Sequence, residues 1–331
     1  MTPSVRKDGG LFASPDKEER YMINKPLDVL AQFEVRKSKQ QKTAFIHAIS
    51  HYSQQHGYSL RVENGKFGSR NIIFGDPNKA TYLITAHYDT PASIGLPNFI
   101  APCNPVVFIL WQIIMLIPFF AVAFLAGFLV SLVTTNSSLI FMAAYLSYFA
   151  MLLLMMFGPA NRHNANDNTS GVITLLEIMS TLPENLRDKV CFVLFDLEEA
   201  GLIGSSSYRK THKAATDRQI VLNLDCVGDG ECIMMFPNKQ LKKDQQKLSQ
   251  LEDMVNTTEK KQIQLHCKGF AYCPSDHKHF PYGVGIMAFH KAPVVGLYCS
   301  RIHTWRDIVL EDENINILRN AIVEMIAAAE K

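Results

Sequence analysis

The chain has 331 residues, with 33 lysines and arginines against 31 aspartates and glutamates and a formal net charge of +2. This balance indicates neither a nucleic-acid partner nor an acidic substrate. Hydrophobic residues make up 47% of the chain, but they are concentrated in one apolar insert. The remainder is long enough for a single soluble domain with a full hydrophobic core.

The first part of the chain predicts an extension, a helical segment and two strands. Residues 1–35 are expected to form an N-terminal extension, and the chain's start lacks the apolar core of a cleavable signal peptide. Residues 26–55 predict one or two helices. Residues 67–74 and 81–86 predict two strands that pair with each other.

The apolar insert follows directly. Residues 90–161 contain no Asp, Glu, Lys, Arg or His, and residues 106–133 and 139–157 are almost entirely apolar. About 20 helical residues cross the ~30 Å hydrocarbon core of a bilayer, so this pattern predicts a transmembrane helical hairpin over residues 104–158. A buried hairpin or an oligomer interface in a soluble protein is the alternative. The lack of any charged face argues against that alternative.

The hairpin also predicts a topology. Both of its ends join the same domain and so lie on one side of the membrane, together with Arg162 and the basic residues 36–42. The positive-inside rule therefore predicts an integral plasma-membrane protein whose soluble domain lies in the cytoplasm. Seven cysteines at irregular spacings fit reduced thiols. Small residues of the first helix would let copies of the chain pack together as a homo-oligomer, namely Ala121, Ala123, Ala126 and Gly127.

Metal-binding side chains occur in five short sequences, several of which directly follow strand-like apolar runs. In chain order they are His87-Tyr88-Asp89, Asn166-Asp167-Asn168, Glu198-Glu199, Asn223-Leu224-Asp225 and His303. In an α/β sheet, groups at the carboxyl ends of neighbouring parallel strands meet at one edge. Adjacent acids at such an edge repel each other unless a cation lies between them. The pattern therefore predicts a site for two metal ions.

The order of these sequences resembles the two-zinc aminopeptidase family, which includes bacterial leucyl aminopeptidases and, more distantly, glutamate carboxypeptidase and glutaminyl cyclase. The similarity runs from about residue 65 to the C-terminus, apart from the hairpin, and extends to Ser275-Asp276-His277. It implies a three-layer α/β/α zinc-peptidase domain with a mixed central sheet. This domain would comprise residues 36–103 and 159–331.

The resemblance also implies a role for each site residue. Glu198 would be the general base that takes a proton from the attacking water and returns it to the leaving amine. Asp89 would fix the tautomer of His87, and Asp276 and His277 would contact the substrate or support the ligands. Two zinc ions would share Asp167, with His87 and Asp225 on one ion and Glu199 and His303 on the other. Manganese or cobalt would also fit this nitrogen and oxygen set.

The sequence thus predicts a membrane-anchored di-zinc metallopeptidase, and the resemblance favours an aminopeptidase. Because the hairpin lies between His87 and Asp167, the active site should open near the bilayer, and a hydrophobic or membrane-derived peptide is the expected substrate. A carboxypeptidase or an endopeptidase with the same metals remains open. A glutaminyl cyclase or an inactive membrane receptor fits less well, because no ligand is lost. A disulfide between Cys267 and Cys273 is expected only if the domain faces an oxidising space.

Overall fold

The computed structural model describes residues 22–93, 95–258 and 260–329, so most of the expected N-terminal extension lies outside the described residues. The strands are β1 Leu60–Asn64, β2 Arg70–Phe74, β3 Tyr82–His87, β4 Val190–Phe195, β5 Ile220–Leu224, β6 Cys232–Pro237, β7 Asn256–Thr257, β8 Gln262–Leu265, β9 Gly283–Ala292 and β10 Gly296–Tyr298. They form one ten-stranded sheet in the order β1-β2-β4-β3-β5-β9-β6-β8-β7, with β10 paired to β9.

The middle of the sheet is parallel and its margins are largely antiparallel. Strands β4, β3, β5 and β9 run parallel to one another, whereas β2 and β6 pair antiparallel to this block on either side. Every residue of β3, β4 and β5 is buried, which explains their continuous apolar sequences. The predicted fold class, α/β with a mixed central sheet, is confirmed.

Helices cover both faces of the sheet. They are α1 Asp28–Phe33, α2 Lys39–Gln55, α3 Pro105–Ser131, α4 Ser137–Phe157, α5 Gly171–Thr181, α6 Ile203–Thr211, α7 Lys213–Thr216, α8 Gln245–Glu252 and α9 Asp312–Ala328. Apolar residues of α1, α2, α5 and α9 form the larger core. On the other face, Tyr208 of α6 packs in a smaller core with Leu83 and Val193. Neighbouring residues of β3, β4 and β5 point alternately toward these two cores.

Two expectations need correction. Residues 67–74 and 81–86 do not pair with each other, because β4 lies between β2 and β3. The sequence gives no sign of this long-range pairing, since β4 comes about a hundred residues later. Residues 22–35, assigned to the N-terminal extension, are part of the domain, because Ile23, Val29 and Phe33 are buried in the larger core. The catalytic domain therefore begins before residue 36.

The hairpin of α3 and α4 packs on itself and not on the domain core. Helix α3 buries Phe119, Ala123 and Gly127, and no residue of α4 is buried. A Cβ atom at Gly127 would lie 3.4 Å from the Cβ of Ala144, so Gly127 lies at a close contact between the two helices of the hairpin. Both helices are long and apolar enough to cross a membrane.

Two stems connect the hairpin to the domain, residues 90–104 and residues 158–164. The stems pair side by side: the Ser93 amide donates to the Pro159 carbonyl (2.8 Å), and the Asn161 amide donates to the Pro91 carbonyl (2.9 Å). The first stem begins three residues after His87, and the second ends three residues before Asp167. The hairpin is therefore joined directly to two candidate metal ligands.

Candidate active site

The carboxyl edge of the parallel strands brings three of the five sequences together. Strand β3 ends at His87, β4 is followed by Glu198 and Glu199, and β5 is followed by Asp225. Strand β3 pairs in parallel with both β4 and β5, so these side chains start from neighbouring positions on one edge. This is the edge at which α/β proteins bind their ligands.

Asp167 lies between two groups of candidate ligands. One of its oxygens, Oδ1, is 3.3 Å from His87 Nε2, and that nitrogen is 3.6 Å from Asp225 Oδ1. The other oxygen, Oδ2, is 3.0 Å from His303 Nε2, which is 3.6 Å from Glu199 Oε2. In each group the ligand atoms lie within 4.8 Å of one another. The two oxygens of one carboxylate thus face two separate groups that could each hold a cation.

Asp89 connects the His87 strand to the two glutamates. Its Oδ1 lies 3.5 Å from His87 Nδ1, the ring nitrogen that points away from Asp167. The Asp89 carboxylate also accepts hydrogen bonds from the amides of Glu198 (3.0 Å) and Glu199 (3.3 Å). One buried carboxylate therefore orients an imidazole and fixes the backbone of both glutamates, a second task that the sequence did not reveal.

A chain of hydrogen bonds positions Asp225. Thr85 donates to Asn223 (2.8 Å), Asn223 donates to Ser275 (2.8 Å), and the Ser275 hydroxyl donates to Asp225 Oδ2 (2.5 Å). All four residues are buried. The chain occupies one carboxylate oxygen of Asp225 and leaves Oδ1 facing His87. Orientation of a ligand by such outer hydrogen bonds is typical of metal sites.

Asp307 and Asn168 support the turn that carries Asp167, and the sequence did not single out either residue as a support. Asp307 accepts from the amides of Asn166 (2.8 Å) and Asp167 (3.1 Å). The Asn168 side chain donates to the Leu224 carbonyl (2.9 Å) and accepts from the Gly171 amide (3.0 Å). An acid shortly after a candidate ligand in a loop is the only signal that could have indicated Asp307.

His303 lies in a loop, residues 299–307, that both stems of the hairpin hold. The Asn98 side chain donates to the Ile302 carbonyl (3.1 Å), and the Asn161 side chain donates to the Thr304 carbonyl (3.0 Å). Ile100 and Cys299 exchange two backbone hydrogen bonds. His303 itself has a φ of 59°, a left-handed conformation that is uncommon for any residue except glycine. The surrounding contacts hold this conformation.

A cavity of about 250 Å³ opens beside the two groups. Its polar wall consists of His87, Asp167, Glu198, Glu199, Asp225 and His303. Its apolar wall consists of Ile100, Cys226, Tyr272, Cys273, Pro274, Met287, Ala288, Phe289, Cys299 and Ile302. None of the described residues that line it is a lysine or an arginine.

All seven cysteines are free, including Cys267 and Cys273.

The electrostatics of this cluster call for cations. Burial raises the pKa of Glu198 well above its usual range and, together with the nearby Asp167, raises that of Glu199 to about 8. Burial lowers the pKa of His303, but Glu199 and Asp167 outweigh it and raise the value to about 9. Such shifts arise where buried carboxylates outnumber the imidazoles beside them. Metal ions would supply positive partners, and the mixed nitrogen and oxygen donors suit zinc.

Asp276 and His277 lie beneath the pocket and do not line it. Burial raises the pKa of Asp276 to about 7, and burial with the neighbouring Lys278 lowers that of His277 to about 3. The His277 ring would be 2.6 Å from a Cβ atom at position 285, so it packs against Gly285 of β9. Of the two expected roles, this burial favours support of the site over contact with the substrate. The neighbouring Ser275 is the residue that contacts a candidate ligand.

Paired cation sites that share a carboxylate, with a further glutamate beside them, are the working parts of a metal-dependent hydrolase. The family comparison is more specific: the sequence pattern of peptidase family M28 matches residues 134–321, more than half of the chain. The chain belongs to this family and is a zinc-dependent peptidase. The match begins after His87 and Asp89 and includes α4. No curated protein sequence matches the chain.

Solved structures share the fold. A glutaminyl cyclase from Porphyromonas gingivalis is 14% identical with a TM-score of 0.55, covering 96% of this chain and 98% of its own. A zinc-dependent exopeptidase from Parabacteroides distasonis is 16% identical with a TM-score of 0.54, and coverage is 95% and 97%. The LapA aminopeptidase of Legionella pneumophila is 14% identical with a TM-score of 0.54, and coverage is 100% and 77%. These similarities concern the fold.

Proposed function

We propose that this zinc-dependent peptidase is a membrane-anchored aminopeptidase that uses two zinc ions. The single observation that carries the end preference is the pocket wall. A carboxypeptidase needs a cation to hold the carboxylate at the end of its substrate, and the pocket lining among the described residues has no lysine or arginine. The cavity is also smaller than usual ligand sites, which measure ~300–1,000 Å³. It therefore fits one substrate side chain better than a long peptide that extends on both sides of the scissile bond.

The residues divide the chemistry as follows. Glu198 takes a proton from the attacking water and passes it to the leaving amine. Asp89 holds the Glu198 amide and so aims the side chain. The apolar wall receives the side chain of the first residue, which predicts a preference for apolar N-terminal residues.

Zinc fits the two groups described above, with Asp167 shared between them. One ion would take His87 and Asp225, and the other would take Glu199 and His303. Bound zinc would polarise the scissile carbonyl and make the attacking water more acidic. Ser275 and Asp89 support this arrangement from outside by holding Asp225 and His87 in place.

The test of end preference is a panel of matched substrates. Amino-acid p-nitroanilides with free amino groups, their N-acetylated counterparts and peptides with a free carboxyl end but a blocked amino end would be assayed together. An aminopeptidase cleaves only the first set, with leucine and methionine ahead of lysine and aspartate. Cleavage of the blocked compounds at a similar rate would contradict the proposal. A peptide with N-terminal glutamine tests the cyclase alternative, since cyclisation releases ammonia and no free amino acid.

Membrane anchoring is supported by the hairpin's exposed apolar surface. Both helices could span a membrane by length and composition, and they share almost no burial with the domain. The predicted cytoplasmic orientation follows from the basic residues on the domain side. The short distance between the stems and His303 supports a hydrophobic or membrane-derived peptide as substrate.

A hairpin variant tests this delivery. Both stems would be kept, so that the contacts to the His303 loop remain, and α3 and α4 would be replaced by a short flexible linker. We expect unchanged turnover of a small p-nitroanilide and reduced turnover of a long apolar peptide bound to vesicles. Equal turnover of the vesicle-bound peptide by both proteins would mean that the hairpin only anchors or oligomerises the enzyme.

A further inference from the structure

Three loops around the active site are hydrogen-bonded to the hairpin stems. The first carries Tyr272, the second is the turn at Val294 and Val295, and the third is the His303 loop. The Tyr272 amide donates to the Pro102 carbonyl (2.9 Å). The Asn104 side chain donates to the carbonyls of Val294 (3.1 Å) and Val295 (3.2 Å), and Asn161 holds the His303 loop. The first loop contributes Tyr272 to the pocket wall, and the third carries His303. The stems thus place these loops beside the ends of the hairpin helices.

Each of these three loops carries at least one exposed apolar side chain. Val294 is 95% exposed and Trp305 is 75% exposed, and Phe270 and Tyr272 are also exposed. Asn104, which holds the Val294 turn, is the residue before α3, so this turn lies where the apolar helix begins. Tyr272 contacts Phe108 of α3, with 5.1 Å between ring centroids. The exposed apolar surface of the hairpin therefore continues onto the catalytic domain.

Val294 has a conformation that folding alone would not select. Its φ is 69°, in the left-handed region that glycine and asparagine adopt easily and a β-branched residue adopts only with strain. The Val294 side chain is almost fully exposed, and the turn is held through the carbonyl that accepts from Asn104. Strain of this kind is usually retained where the side chain has a function.

Basic residues flank these apolar tips. Arg162, Lys268, Lys291 and Arg306 are all exposed. Residues 158–166, 264–275 and 290–306, which contain the three loops and the second stem, include no aspartate or glutamate. Aromatic side chains beside lysine and arginine are the usual composition at the boundary between a bilayer and water. The positive charge also complements anionic lipid headgroups.

We propose that Phe270, Tyr272, Val294 and Trp305 form a second membrane-contacting surface, here called the rim surface, which seats the mouth of the active site among the headgroups of an anionic bilayer. This inference rests on the proposed membrane anchoring and extends it. A peptide that lies in the interfacial layer would then reach the pocket without leaving the membrane surface. The substrate class is thereby narrowed to peptides whose N-terminal segment binds that layer.

The two tryptophans of the chain, Trp111 and Trp305, allow a direct test. In one variant Trp111→Phe leaves Trp305 as the only fluorophore, and in the other Trp305→Phe leaves Trp111 in α3. The full-length proteins would be placed in vesicles of phosphatidylcholine and phosphatidylglycerol, with lipids brominated near the headgroup end of the acyl chain as quenchers. We expect bromolipid quenching at both positions, and protection of Trp305 from aqueous acrylamide in vesicles but not in detergent.

The outcomes separate the two proposals. If Trp111 is quenched by bromolipid while Trp305 remains open to acrylamide, the rim surface is refuted and the anchoring stands. If neither tryptophan is quenched by lipid, the anchoring itself is wrong and the rim surface falls with it. Quenching at both positions supports both.

A matched pair of variants tests the consequence for substrates. Val294→Asn removes the apolar tip and suits the left-handed backbone, so the fold should not suffer. Phe67→Asn is the control, because Phe67 is also exposed and left-handed (φ 53°) but lies between β1 and β2, at the edge of the sheet far in strand order from β9 and β10. We expect Val294→Asn to lower turnover of a vesicle-bound peptide by about threefold to tenfold and to leave a soluble p-nitroanilide unaffected. Equal vesicle turnover by the two variants would overturn the proposal.

Discussion

Replacing Asp89 with asparagine tests how the site is held together. The change keeps the size of the side chain but leaves one acceptor oxygen where the native carboxylate has two. That carboxylate faces His87 Nδ1 at 3.5 Å and accepts from the amides of Glu198 at 3.0 Å and Glu199 at 3.3 Å. The new amide nitrogen can only donate, so it must face another donor or move away.

The magnitude follows from these contacts. Hydrogen bonds to a charged group contribute about 1.5–3 kcal/mol, and loss of a residue that supports a metal ligand costs about 10–100-fold in metal affinity or activity. We expect Asp89→Asn to lower zinc affinity and turnover by about that factor while the protein stays folded. The carboxylate also raises the basicity of His87, so the loss of affinity should be the larger effect.

Zinc affinity would be measured by competition with a fluorescent chelator, and turnover with a leucine p-nitroanilide at saturating zinc. Asp76→Asn is the control, because Asp76 is exposed and its side chain accepts from the nearby Asn78 amide (2.9 Å). If zinc affinity and turnover of Asp89→Asn both stay within about threefold of the parent while circular dichroism is unchanged, the assigned role of Asp89 is wrong.

Four further outcomes are expected. Asp167→Ala should lose at least one zinc ion per chain, because two cations then lose the carboxylate that they share; retention of two ions at normal affinity by mass spectrometry would refute the bridge. In the metal-free protein the raised pKa values of Glu199 (about 8) and His303 (about 9) keep both groups protonated near pH 7, so zinc binding should release protons, which calorimetry in buffers of different ionisation enthalpy would detect. Both raised values also mean that the folded, metal-free state binds more protons than the unfolded chain, so its melting temperature should fall as pH rises from about 5 to about 9; a rising melting temperature would show that other groups dominate. A single cysteine at Ser137 should react with an impermeant maleimide from outside intact cells and one at Lys39 only after lysis; external labelling at Lys39 would reverse the orientation.

More of the candidate site than of the strand order could be predicted from the sequence. The residue types themselves carry chemistry, so imidazoles and carboxylates after apolar strands indicate a metal site whichever strands are neighbours. Strand order depends on contacts between residues far apart in the chain. Strand β4 therefore separates β2 from β3 without any local signal, and residues 22–35 enter the core through a few side chains such as Ile23, Val29 and Phe33.

The supports of the site were harder to predict than its ligands. Ser275, Asp307 and Asn168 act through hydrogen bonds to backbone or to another side chain, and such roles are set by geometry alone. Asp276 and His277 were expected to contact the substrate or to support the ligands, and that expectation stays a prediction. They stand next to Ser275 in the sequence, and both are buried.

The position of the hairpin was visible in the sequence, but its connection to the site was not. Residues 90–161 lack charge, and that alone predicts two apolar helices. The bonds from Asn98 and Asn161 to the His303 loop link neutral side chains to carbonyl groups over a long sequence distance. No pattern of hydrophobicity or charge reports such contacts.

Glu198→Gln tests the central claim most directly, because Glu198 is the one acidic residue of the pocket that is assigned to proton transfer and not to metal binding. Zinc content per chain and turnover of a leucine p-nitroanilide would be measured on the same purified sample. General acid–base help is worth about 10²–10⁴-fold, so turnover should fall by at least about a hundredfold while zinc content equals that of the parent. Turnover within about tenfold of the parent, or a loss of zinc that accounts for the loss of activity, would contradict the account.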